Sequence, residues 1–165
     1  MSSSPRASTH LFPNSLPTLQ NWVRYVRIQT TMPEYLQYRE LMVFDTTYIN
    51  VARGKRCYSN QASYAGMGTC TVTNDNIVHS GTQTFEGTDS AAGGLYHAAV
   101  LTAGTWVEYD LGGVYNIAKV VIFNRFVGPY QTGGNATGTL VASRITGANV
   151  IFKVCRERVC LQDEV

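Results

Sequence analysis

The sequence is poor in charge. Asp, Glu, Lys and Arg make up 15% of its 165 residues, against about 25% in an average soluble domain, and the formal net charge is only +2. Its three lysines, Lys55, Lys119 and Lys153, are too few for a dedicated nucleic-acid binder, whose affinity rests on many cationic contacts to phosphate. Nucleic acid is therefore not an expected partner. Long apolar runs are also missing: the longest are fragments such as Ile117 to Phe123, far short of the roughly 20 residues that a membrane-spanning helix requires. The opening MSSSPRASTH lacks the apolar core of about 7–15 residues found in secretory signals, so any export is expected to use another route. Histidines are few, namely His10, His79 and His97. No Gly-x-Ser-x-Gly, His-Glu-x-x-His or phosphate-loop pattern occurs. Amphipathic helix is scarce too, Glu34 to Met42 being the one short candidate, and it reads equally as a loop running into a strand.

What fills the gap is Gly (15 residues), Tyr (10) and an excess of Thr, Ser and Val, a β-rich composition. A chain of this length makes one domain, or one domain with an arm, and buries about 70% of its unfolded surface without a metal or disulfide scaffold. The first acidic residue is Glu34, so Arg6, Arg24 and Arg27 stand without a compensating carboxylate before it. Residues 1–20 are rich in Ser, Pro and Thr, with Leu11, Phe12, Leu16 and Leu19 at no regular period, which reads as an extended arm. From residue 21 onward short β-type runs alternate with turn clusters. Trp22 to Ile28 places Val26 and Ile28 on one face and Tyr25 and Arg27 on the other. A turn is expected at Met32-Pro33-Glu34. Leu41 to Phe44, Trp106 to Leu111, Ala118 to Phe123 and Ala148 to Val154 are further strands, while Ser59 to Gly104 is mostly loop with room for short strands. The expected fold is an all-β sandwich.

Three spaced motifs carry a resemblance. Asn50-Val51-Ala52-Arg53-Gly54-Lys55 is similar to the opening Asn-Val-Ala-x-Gly-Lys of discoidin, or coagulation factor C-type, domains, which are galactose-binding-like jelly-roll β-sandwiches. Trp106-Val107-Glu108-Tyr109-Asp110-Leu111-Gly112 followed by Ile117-Ala118-Lys119-Val120-Val121-Ile122-Phe123-Asn124-Arg125 resembles that family's central strands. Arg144-Ile145-Thr146-Gly147-Ala148-Asn149-Val150 resembles its Arg-Leu-x-Gly-Ala-x-Val. Tyr25-Val26-Arg27-Ile28 and Leu36 to Phe44 resemble the strand pair that normally ends such a domain, yet here they precede the opening motif. The likeness is thus to a circularly permuted module of the kind found in proteins of large DNA viruses, with residues 1–20 as arm and 21–165 as sandwich. Permutation is tolerated where chain ends lie close together at the surface. Alternatively, residues 21–45 complete a neighbouring copy by strand addition.

The resemblance implies a sugar site built from a His and two Arg beside a calcium. His97 and Arg125 match the family's positions, with Arg144 nearby and Tyr130, Tyr96 and Tyr64 available to stack on sugar. The Asp and further Arg that follow in the lectins are replaced by Phe126-Val127-Gly128-Pro129-Tyr130, and Val-Asp-Gly-Asn by Val78-His79-Ser80-Gly81. No cofactor and no metal ligand is assigned; calcium stays open, because the family's ion-site residues are only partly present. In the plainer reading the two arginines pack along strand ends with solvated heads and His97 is an ordinary polar loop residue. Glu108 and Asp110, two residues apart on one strand face, fit the spacing of glycosidase carboxylates, roughly 5–9.5 Å, but such a pair inside a structural strand more often fixes loops or faces water.

Cys57, Cys70, Cys155 and Cys160 allow three disulfide connectivities. A short hairpin closed by Cys155 and Cys160 leaves Cys57 for Cys70, although the sequence does not decide the connectivity. Disulfides are expected at Cys57, Cys70, Cys155 and Cys160, the other reading being reduced thiols that are simply small buried hydrophobes. Oxidised, they imply an extracellular, cell-surface or virion setting. Asn135-Ala136-Thr137 is a glycosylation sequon in a Gly-rich surface loop. Taken together, these features make the expected protein a non-enzymatic structural subunit. It assembles with copies of itself through the arm residues Leu11, Phe12, Leu16, Leu19 and Trp22. A glycan-binding lectin is the alternative reading and a glycoside hydrolase a third.

Overall fold

The computed structural model describes residues 7–10, 22–64, 68–77, 94–124, 145, 147–156 and 159–164, with side chains described for those between 22 and 153. Among the described residues there are nine strands and one 3-10 turn, Cys70–Thr73: β1 (Ala7–His10), β2 (Trp22–Gln29), β3 (Gln37–Tyr38), β4 (Glu40–Asp45), β5 (Arg56–Ser59), β6 (Tyr96–His97), β7 (Trp106–Phe123), β8 (Asn149–Arg156) and β9 (Val159–Glu164). All strand pairings are antiparallel. The all-β expectation therefore holds, and its expected strands lie in β2, β4, β7 and β8.

Strand β7 organises the molecule. Its first part, Trp106 to Asp110, lies between β5 and β2, and β2 in turn pairs with β8 and β8 with β9. Its last part pairs with β4 and β1. Between them, the β2 pairing jumps from Tyr115 to Asp110 on β7 as β2 passes from Val23 to Tyr25. Extra residues opposite a single partner bend a strand and increase its twist. Gly112 sits in this bulge at φ 74°, a left-handed conformation that glycine adopts without steric cost. One strand of 18 residues thus turns a corner and serves two sandwich-like layers.

Period-2 patterning directs the core into the space between them. Val23, Val26 and Ile28 of β2, Val107, Tyr109 and Leu111 of β7, and Phe152 of β8 meet Leu41 and Val43 of β4 and Val120 and Ile122 at the far end of β7. Leu36, Tyr38, Tyr96 and Ala98 complete the cluster. Arg27 points to the opposite face from Val26 and Ile28 and is only partly buried, as alternation requires. Residues 22–29 and 40–45 sit in the chain's own sheets, β2 between β7 and β8 and β4 against β7.

Local chemistry explains the connections. The expected turn at Met32-Pro33-Glu34 is present, with Glu34 N donating to Met32 O at 2.8 Å. In the Asn50 to Lys55 motif, Asn50 Oδ1 accepts from Val43 N (3.0 Å) and Ala52 N (3.2 Å). Asn74 Nδ2 donates to Ala52 O and Lys55 O, both at 2.8 Å, and Gly54 takes φ 64°. Cys57 and Cys70 form a disulfide that ties β5 to the 3-10 turn. The C-terminal hairpin also forms, and its register sets Cys155 directly opposite Cys160; those two side chains lie outside the described ones.

Candidate functional site

Three features are candidates for function: an edge strand donated by the N-terminal segment, a polar face on the larger sheet, and an aromatic cluster around His97.

The edge strand is β1. Ala7, Ser8, Thr9 and His10 lie opposite Phe123, Ile122, Val121 and Val120, while the other edge of the same four residues is taken by Glu40, Leu41, Met42 and Val43. Val120, Val121 and Ile122 are all buried. An unpaired edge along so apolar a segment would be a template for association with another chain, and β1 supplies its pairing. Among the arm residues expected to mediate assembly, Leu11, Phe12, Leu16 and Leu19 lie outside the described residues. Trp22 opens β2 opposite Asn116 and is 46% exposed.

On the outer face of the larger sheet, the register puts Arg27 directly opposite Glu108 and Tyr25 opposite Asp110. Arg27 Nε donates to Glu108 Oε2 at 2.9 Å, Lys153 Nζ reaches the same oxygen at 2.7 Å, and the Arg27 guanidinium lies 4.0 Å from the centroid of the Trp106 ring. Arg24, beside the bulge, grips Asp110 with two bonds, Nε to Oδ1 at 3.1 Å and Nη2 to Oδ2 at 3.2 Å, and Gly112 N adds a third at 2.9 Å. The Arg24 hydrogen bonds hold the Asp110 carboxyl below its usual range, because donors to a carboxylate favour its charged form. Glu108 and Asp110 thus form a cross-strand ladder with three cations, Arg24, Arg27 and Lys153.

His97 is buried on β6, opposite Gln37. Its ring stands between Tyr35 and Tyr64, with centroids 5.1 and 5.4 Å away. Nδ1 lies 2.8 Å from Ala98 O; since a carbonyl only accepts, Nδ1 carries the hydrogen. Tyr64 is half exposed, so the cluster opens to the surface through that ring. The other residues of the expected sugar site, Arg125, Arg144 and Tyr130, and the sequon Asn135, lie outside the described residues.

Two buried polar groups escaped the sequence reading. Glu40 is fully buried, with Oε1 accepting from Asn76 N at 2.9 Å and Oε2 without a hydrogen-bond partner among the described residues. Burial pushes its carboxyl up to about 8. Inside the core, Thr73 Oγ1 donates to Cys70 O at 2.7 Å, which leaves it to accept from Tyr109 OH; Tyr109 OH then accepts from Tyr38 OH at 2.7 Å. The chain of hydroxyls is fixed in direction by the carbonyl at its end. An Arg-Glu dipeptide reads as surface, and nothing in local sequence marks either network. Among the described residues no three His, Cys, Asp or Glu gather as a metal site, and no helix is long and apolar enough to cross a membrane.

Comparison with family models, with curated proteins and with solved structures finds no match for this chain.

Proposed function

We propose that this protein is a non-enzymatic structural subunit, a permuted galactose-binding-like jelly roll that assembles with copies of itself through its N-terminal arm on a cell surface, filament or virion. The observation that carries the reading is β1: four arm residues complete the edge of β7 by antiparallel strand pairing, the interaction used in β-strand addition. The neutralised carboxylates of the outer face support a structural role, since Glu108 and Asp110 are both bound to cations. Tyr and Arg on that face, with low overall charge, suit the packing of like surfaces. Deleting residues 1–20 and following particle size by light scattering tests it. Loss of large species is expected, and unchanged assembly would remove the arm from the account.

A second reading, glycan binding, rests on the aromatic cluster. His97 between Tyr35 and Tyr64 offers a ring surface of the kind on which sugars stack. Binding on a glycan array that is lost in Tyr64→Ala would favour it, and equal binding across unrelated sugars would count against it.

A further inference from the structure

The acceptor edge of β7 is more specific than a general preference for self-association. His10 lies opposite Val120 and Trp22 opposite Asn116, four residues apart on one strand, or about 14 Å at the rise of a β-strand. Residues 11–21 connect them, a link that when extended reaches roughly 40 Å. That is about three times what docking on the same chain requires. It is comparable with the diameter of a domain of this size, whose radius of gyration is about 15 Å. The pairing uses backbone groups, and a second copy presents the same Val120 to Phe123 edge in the same register. Exchange of an identical element between protomers conserves the contacts made, so its cost is low.

We propose that the Val120–Phe123 edge of β7 is a strand-acceptor site and that its partner in the assembly is Ala7–His10 of a second copy, seated antiparallel with Ala7 opposite Phe123. The proposal rests on the self-assembly reading and names the two surfaces that meet. β4 stays on the other edge in its own chain, because Glu40, Leu41 and Val43 are fully buried there. Each subunit then has one donor and one acceptor.

The test uses full-length chains carrying Ala7→Cys or Phe123→Cys, mixed in equal amounts, concentrated and oxidised, with the joined peptides identified by mass spectrometry. A dimer-sized band joining the two introduced cysteines is expected from the mixture, and a ladder from the double variant. The pair Thr9→Cys and Val121→Cys, also directly opposed, gives an independent measurement should the first pair fold poorly. A double variant that closes only within one chain, with no joined band in the mixture, overturns the proposal, as does the absence of either link. Sedimentation of the same samples separates the two levels of the account. Assemblies without the link remove this acceptor edge and leave self-assembly standing, whereas monomers alone remove both.

Discussion

The hydroxyls of Tyr38 and Tyr109 meet at 2.7 Å in the middle of the core, and Tyr38 is the donor because Tyr109 passes its own hydrogen to Thr73. The order of the chain makes its members unequal. Removing the Tyr38 hydroxyl leaves every other hydrogen in place. Removing that of Tyr109 strands the Tyr38 donor in a dry core. Tyr38→Phe should therefore cost about 1 kcal/mol and Tyr109→Phe about 2–3 kcal/mol, since an unsatisfied buried donor carries its full desolvation penalty. Denaturant unfolding of the two variants checks the order, and equal losses would contradict it.

Glu40 and Asp110 pull the pH dependence in opposite directions. The Glu40 carboxyl is raised from 4.5 to about 8 in the fold, so the native state holds a proton that the unfolded chain releases above its ordinary value. Stability should fall as pH rises from about 4.5 to 8, by several kcal/mol at most. Asp110 is lowered; its contribution is present above the unfolded value near 4 and is lost as pH falls through the folded one. A maximum in mildly acid solution follows. Glu40→Gln keeps an acceptor for Asn76 N and should raise stability at pH 8 while flattening the alkaline limb of a Tm-against-pH curve. Asp110→Asn should flatten the acid limb.

Arg27 stacks on Trp106 and bonds Glu108 at once, two roles that lysine cannot combine because it lacks a planar guanidinium. Arg27→Lys should lower stability by about 0.5–1 kcal/mol, the scale of a cation–π contact at a partly exposed site, and Arg27→Ala by more. Thermal unfolding reads both, and a lysine variant as stable as the parent would show that the stack contributes nothing.

The Cys57–Cys70 bond closes a separation of 13 residues. By loop-closure entropy its removal should cost about 3 kcal/mol. Unfolding of the Cys57→Ala, Cys70→Ala double variant in urea measures it, with a midpoint unchanged from the parent as the contradicting result.

Much of the sandwich is legible where alternation is strong. Val26 and Ile28 against Arg27, and Val107, Tyr109 and Leu111 against Glu108 and Asp110, give their strands and faces directly. The hairpin between Cys155 and Cys160 reads from spacing. Other parts do not. Trp106 to Leu111 and Ala118 to Phe123 read as two strands because Gly112-Gly113 interrupts the pattern, whereas a bulge at Gly112 carries one strand around the corner. β3, β5 and β6 are two to four residues long, too short for periodicity to register. Ala7-Ser8-Thr9-His10 has no apolar alternation, so nothing in its sequence marks the strand that pairs with β7. The burial of Glu40 depends on residues 36 positions away at Asn76, which no local window contains.

Self-assembly through the arm is decided by sedimentation velocity of the full chain over a concentration series, beside the chain lacking residues 1–20. The full chain should move from its 18.2 kDa monomer to larger species as concentration rises, while the shortened chain stays monomeric. A full chain that sediments as a monomer throughout, or two chains that associate alike, would contradict it.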